Sequence, residues 1–123
     1  MATVRAEDKL REVVRAAFLV PKGVHQSWVE THATCPGFPD LEICYFGVSQ
    51  HIELKVTDKE GNIKIRPTQY RWFKDQVKAG GKPFLWVMHS GMHYLFQGAA
   101  MHCPDILVNI AQASNRICFV FST

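Results

Sequence analysis

The stretch GFPDLEICYFGVSQHIELKV, Gly37 to Val56, alternates apolar and polar side chains in two runs that break at Gly47. Alternation with period two is the mark of a strand with one buried face. The stretch therefore predicts two antiparallel strands, about 40–46 and 50–56. A two-residue turn at Gly47 and Val48 would pair Phe46 with Ser49, Glu42 with Glu53, and Asp40 with Lys55. Leu41, Ile43, Tyr45, Ile52, Leu54 and Val56 then form a packing face. Asp40, Glu42, Cys44, Phe46, His51, Glu53 and Lys55 share the other face, and a one-residue slip would separate Asp40 from Glu53.

Three acids at one end of a hairpin are costly. Two carboxylates at about 4 Å repel by about 4 kcal/mol at an effective dielectric near 20. Lys55 could pair with Asp40, but one lysine does not neutralise all three acids. Either one acid takes up a proton or a divalent cation binds, and hard cations such as Mg²⁺ favour carboxylate oxygens and water. A cation between Asp40 and Glu53 would leave Lys55 one side chain away, able to stabilise a nucleophilic hydroxide or the charge developing on a phosphate.

The rest of the chain supplies a frame for this hairpin. AEDKLREVVRAAFL reads as a helix, with Leu10, Val13, Val14, Ala17 and Phe18 at helical spacing, ended by Pro21 and Gly23. HQSWVETH is a candidate strand. Pro67 opens a helix that runs to about Ala79 and stops at the Gly pair 80–81. PFLWVMHS and MHYLFQG form a strand pair around Gly91, Pro104 opens a short helix to about Ala113, and ICFVFS is a last strand. The order α-β-β-β-α-β-β-α-β predicts one α/β domain over 1–123, with a central mixed sheet flanked by helices.

Composition excludes several classes. No apolar run approaches the ~20 residues of a membrane span. The start, MATVRAEDKL, lacks the apolar core of a signal peptide, which predicts a cytoplasmic location. Cysteines 35, 44, 103 and 118 are scattered, which predicts reduced, mostly buried thiols. HATC and MHC place His32 beside Cys35 and His102 beside Cys103, without the paired knuckles of a zinc site. His89 and His93 are four apart, but the Gly91 turn opposes a helical metal pair. Trp28, Trp72 and Trp86 are read as core aromatics rather than base-stacking platforms.

Charge is unevenly spread. The chain carries +3 overall, yet residues 55–82 hold eight basic residues, Lys64 and Arg66 among them, against three acids. Arg71, Lys74 and Lys78 fall on one face of the second helix. Such a segment suits contact with a polyanion, and a solvated helix face is the plainer alternative.

The pair Pro39–Asp40 followed by Glu53, Leu54 and Lys55 resembles the PD-(D/E)xK nuclease signature. The succession GFPD, IELKV, a polar loop, RPTQYRWF and GG is similar to the VRR-NUC branch, virus-type replication-repair nucleases of the stand-alone phage type. The resemblance covers about residues 5–90. It implies a restriction-endonuclease-like domain, with Asp40 and Glu53 as metal-binding acids, the carbonyl of Leu54 as a further ligand, and Lys55 as the catalytic lysine. Gln69 matches a glutamine that borders the site. The family also has an acid on the first helix, for which Glu7 and Glu12 compete. Glu7 precedes Leu10 by three and Val14 by seven and so can face the sheet, whereas Glu12 points toward solvent.

The function implied is a Mg²⁺- or Mn²⁺-dependent DNA endonuclease selective for branched, Holliday-junction-like DNA. Its candidate phosphate contacts are Lys64, Arg66, Arg71, Lys74 and Lys78. The resemblance further implies a homodimer, with residues 98–123 as a C-terminal extension. There ICFVF either meets its copy or completes the chain's own sheet. The alternatives are a sequence-specific restriction-like nuclease, a single-strand or nicking nuclease, and a nucleic-acid-binding module without catalysis.

Overall fold

The structure is a computed structural model that describes residues 5–19, 22–29, 35–97 and the strand 117–122. Helix α1 (Ala6–Ala17) is followed by β1 (His25–Trp28), β2 (Leu41–Tyr45) and β3 (Val48–Val56). Helix α2 (Pro67–Lys78) then leads to β4 (Phe84–His89), β5 (Met92–Gln97) and β6 (Ile117–Ser122). The six strands lie side by side in sequence order. Every described pairing is antiparallel except β3 with β4. A parallel neighbour requires a crossover, and α2 provides it.

The helices cover opposite faces of the sheet. Leu10 and Val14 of α1 pack with Leu41, Ile52, Leu54 and Trp86. Phe73 of α2 packs with Ile63, Leu85, Val87 and Phe96. The alternation of β3 explains the division, since Ile52 and Leu54 face α1 while Glu53 and Lys55 face the α2 side. Acidic Glu7 and Asp8 sit in the first turn of α1 and basic Arg15 in its last, in line with the helix dipole.

The β2–β3 register differs from the sequence expectation by two residues. Tyr45 pairs with Val48, so the turn is Phe46–Gly47 rather than Gly47–Val48. Both turn residues have positive φ, 50° and 77°, as a type I′ turn requires. This turn matches the twist of the flanking strands, which a turn centred on a β-branched Val48 would not. A shift of two preserves the faces but changes the partners. Glu42 lies opposite His51 instead of Glu53, with His51 Nε2 3.2 Å from Glu42 Oε2.

Other expectations are corrected in detail. Cys35 is exposed rather than buried, because it opens a surface turn, and Cys44 is half-buried. Trp86 is core, but Trp28 and Trp72 are only half-buried. Trp28 lies under the guanidinium groups of Arg11 and Arg15. Trp72 meets Phe38, His51 and Phe73 edge-on. His89 and His93 lie on the paired strands β4 and β5. The 117–122 strand pairs with β5 of its own chain. The helix expected near 104–113, together with His32, His102 and Cys103, lies outside the described residues. No helix among the described residues is long and apolar enough to cross a membrane.

Candidate active site

β3 is longer than its neighbour. The β2 pairing ends at Leu41–Ile52, and β3 continues four residues further. Its outer edge beyond Ile52 must find other partners, and Asp40 supplies one. The N–H of Leu54 donates to Asp40 Oδ2 at 3.0 Å. In an extended strand the N–H and C=O of one residue point to the same edge, so the Leu54 carbonyl emerges on the Asp40 side as well. The other Asp40 oxygen, Oδ1, accepts from Arg11 Nη2 at 3.3 Å.

The loop before Asp40 carries α2 into place. Cys35-Pro36-Gly37-Phe38 forms a turn closed by the Phe38 N–H on the Cys35 carbonyl, 3.2 Å. Pro at the second position and Gly with φ +88° at the third are the signature of a type II turn. A Cβ on Gly37 would stand 2.2 Å from the backbone oxygen of Thr68. Only glycine lets this turn press against the first turn of α2, one residue from Gln69.

Gln69 is the hinge of the polar network. Its Oε1 accepts from the Arg66 N–H at the α2 N-terminus, 2.9 Å, and from Lys55 Nζ, 2.8 Å. Its Nε2 donates to Glu53 Oε2, 3.0 Å. Two donors on one side and an acceptor on the other leave one orientation for the amide. Lys55 Nζ also lies 3.7 Å from Glu53 Oε2.

Glu53 is the anomaly of the site. It is 3% exposed, and its Oε1 has no hydrogen-bond donor. Burial first, then the Asp40 carboxylate, pushes the Glu53 carboxyl from an ordinary 4.5 up to about 8; Lys55 and Arg66 offset only part of that rise. A hydrogen bond between the protonated Glu53 carboxyl and Asp40 adds to the rise. Once Glu53 ionises, its buried Oε1 is an acceptor without a donor, which is expensive, and a cation is one partner that would remove the cost. Two carboxylates, an adjacent strand carbonyl and an open side suit Mg²⁺ or Mn²⁺, which take few protein ligands and keep water. Among the described residues no three His, Cys, Asp or Glu side chains converge, so a closed zinc site is not formed there.

These groups line a cleft of about 260 Å³ bounded by Glu7, Leu10, Arg11, Asp40, Glu53, Leu54, Lys55, Arg66 and Gln69. A larger cleft, about 380 Å³, lies at the far end of α2 and contains no acid. Glu7 overlooks the acidic cleft, although it is exposed rather than part of the buried stripe of α1. Glu12 is exposed and is not among the lining residues. Arg66 reaches the cleft; Lys64, Arg71, Lys74 and Lys78 are exposed outside it.

Sequence reading did not single out Arg11. Its signal was the four-residue spacing from Glu7, which places the two on one helix face. The Trp28 ring 5.4 Å from its guanidinium carbon braces it.

No family model matches the chain, and no curated protein matches it. Among solved structures the fold is similar to that of Archaeoglobus fulgidus Hjc, a Holliday junction resolvase from an archaeal hyperthermophile. The TM-score is 0.57 over 75% of this chain and 76% of that chain, at 13% identity. The chain has the same restriction-endonuclease-like α/β fold, a mixed sheet with flanking helices.

Proposed function

We propose that this chain is a divalent-metal-dependent endonuclease that hydrolyses phosphodiester bonds in branched DNA. One observation carries the reading: the buried Glu53 carboxyl, opposite Asp40 and beside Lys55, has an oxygen without a donor and a proton affinity far above that of an ordinary glutamate. The fold shared with a junction resolvase supports the branched substrate. The succession of Pro39–Asp40 and Glu53-Leu54-Lys55 supports a place among the PD-(D/E)xK nucleases, and the VRR-NUC assignment rests on that motif and its downstream neighbours.

Asp40, Glu53 and the Leu54 carbonyl would hold the cation, with Glu7 at the rim. When bound, the cation supplies positive charge against a phosphate oxygen and lowers the pKa of a water molecule. The residues of the chain do the rest. Arg11 and the Leu54 N–H hold the two oxygens of Asp40 in place. Glu53 would hold the cation as the carboxylate, without the proton that it keeps in the metal-free site. Gln69 fixes Glu53 and Lys55 relative to each other through opposite ends of one amide. Lys55, anchored by one of its three donors, directs positive charge into the cleft where negative charge grows on the phosphate. Lys64, Arg66, Arg71, Lys74 and Lys78 contact flanking phosphates and set the register of the DNA.

The test is cleavage of labelled four-way junction, flap, duplex and single-stranded DNA with Mg²⁺, Mn²⁺ or EDTA. Metal-dependent cutting that favours the junction is expected. Cutting in EDTA would remove the metal, and equal cutting of all substrates would remove the branch preference.

A further inference from the structure

The β2–β3 hairpin ends in apolar side chains that nothing described covers. Phe46 is 85% exposed, Val48 56% and Tyr45 39%. The Tyr45 and Phe46 rings lie 4.4 Å apart between centroids. Phe46 also occupies the left-handed region, φ 50°. Bulky side chains rarely adopt it, and the first centre of a type I′ turn favours Asn, Asp or Gly. The β4–β5 hairpin makes the comparison within the molecule. It has the same two-residue turn, with Ser90 at φ 49° and Gly91 at 78°. One hairpin uses a small polar residue at this position, while the other places its most exposed aromatic there, against local preference.

We propose that Phe46, backed by Tyr45, is a wedge that inserts at an unstacked base step of DNA held in the cleft. The proposal rests on the DNA-cleaving reading above and assigns a residue that distinguishes branched from linear DNA. Three observations select this occupant. The first is size. At ordinary side-chain dimensions the three tip residues offer roughly 300 Å² of surface. A stable protein association needs about 800 Å² from each partner, whereas one aromatic ring suffices for one base. The second is charge. Residues 22–26 and 43–50, which form this end of the sheet, contain no Asp or Glu, and the next acid along β2, Glu42, lies 3.2 Å from His51 Nε2. Exposed Lys22 adjoins Gly23, which lies against the Tyr45 ring. A phosphate backbone meets no repulsion there. The third is reach. Val48 and Glu53 are five residues apart on one strand, about 17 Å, which is about five base steps. DNA seated on the carboxylates and running along β3 would meet the tip about five base pairs away. Apolar side chains at such positions separate base steps and kink the duplex, and the step is weakest at a branch point.

Phe46→Asn separates the wedge from the fold, because it creates the Asn-Gly pair that a type I′ turn prefers. Full-length protein and this variant are titrated in EDTA with linear duplex and with a four-way junction carrying 2-aminopurine at the branch. Wild type is expected to raise the 2-aminopurine fluorescence of the junction. The variant is expected to lose that rise, to bind the junction roughly tenfold or more weakly, to bind duplex as before, and to melt no lower than wild type. Phe46→Trp is expected to keep the wild-type signal. Unchanged junction affinity and fluorescence in Phe46→Asn would overturn the wedge, and metal-dependent cleavage by wild type would then show that the nuclease reading survives it. Equal loss on junction and duplex would overturn it as well. So would a change in oligomeric state by light scattering, which would assign the tip to a second copy of the chain. A wild type that neither binds nor cuts DNA would remove both readings.

Discussion

At the scale of single residues, Glu53 determines how the site responds to pH and, on the proposed function, to metal. Its folded-state pKa, about 8, stands above the ordinary 4.5. The folded protein therefore holds a proton that the unfolded chain has released, and metal-free stability falls as pH rises from about 4.5 to about 8. The loss amounts to a few kcal/mol, since each pKa unit corresponds to about 1.4 kcal/mol. Glu53→Gln keeps the shape and an acceptor for Gln69 while removing the titration. It is expected to flatten the dependence of melting temperature on pH and to raise metal-free stability at pH 8. The same substitution, and Asp40→Asn, should abolish cleavage; activity near wild type in either variant would remove these two acids from the site. Mg²⁺ should stabilise wild type more at pH 8 than at pH 6, because at the lower pH it must displace the proton. Thermal melts at the two pH values, with and without metal, check this. The proximity of Asp40, Glu53 and Lys55 was legible in the sequence because alternation fixed their face, and a register error of two leaves faces intact. The partners were not legible. The turn chemistry of Phe46–Gly47 decides that Asp40, one residue beyond the last pair, caps Leu54 instead of pairing with Lys55. Phe is disfavoured at a left-handed turn position, so the signal pointed away from the answer.

At the scale of elements, α2 unites a network with a surface. Its N-terminal turn brings Gln69 to the carboxylates, and its exposed side carries Arg71, Lys74 and Lys78. The helix boundaries were readable from Pro67 and the glycines at 80–81. Its docking against the Pro36–Gly37 turn was not, because that contact joins residues about thirty apart and depends on one missing Cβ. α1 was similarly readable through Leu10 and Val14, whereas the role of Arg11 depends on where β3 outruns β2. If the exposed side of α2 contacts phosphates, replacing Arg71, Lys74 and Lys78 with Ala should weaken binding to every DNA alike. It should also flatten the log–log salt dependence of affinity by up to about three units. Titrations between low and moderate salt measure the slope. An unchanged slope would return this face to the role of a solvated surface, with the cleft chemistry untouched.

At the scale of the whole molecule, one central mixed sheet was legible because the strand runs follow one another in sequence, and among the described residues the crossover to a parallel neighbour coincides with α2. The assembly cannot be read in the same way, since a two-fold axis leaves no periodic mark on a chain. The 117–122 strand pairs with β5 and ends the described sheet order. Its inner edge is therefore used within the chain. Pairing with a copy would involve only its outer edge, which would extend one sheet through two protomers. Geometry at the substrate supplies the reason to expect a dimer. One cleft cuts one strand, and a four-way junction is resolved by two cuts related by symmetry. A monomer would have to release and rebind between them, whereas two clefts on a two-fold axis act within one encounter. Light scattering at micromolar concentration, with and without a four-way junction, is expected to give a dimer at least on the DNA. With junctions built into supercoiled plasmid, a dimer should release linear product with little nicked intermediate. A monomer in both scattering conditions, with nicked circles accumulating first, would overturn the paired-incision model and leave a nicking nuclease with the same cleft.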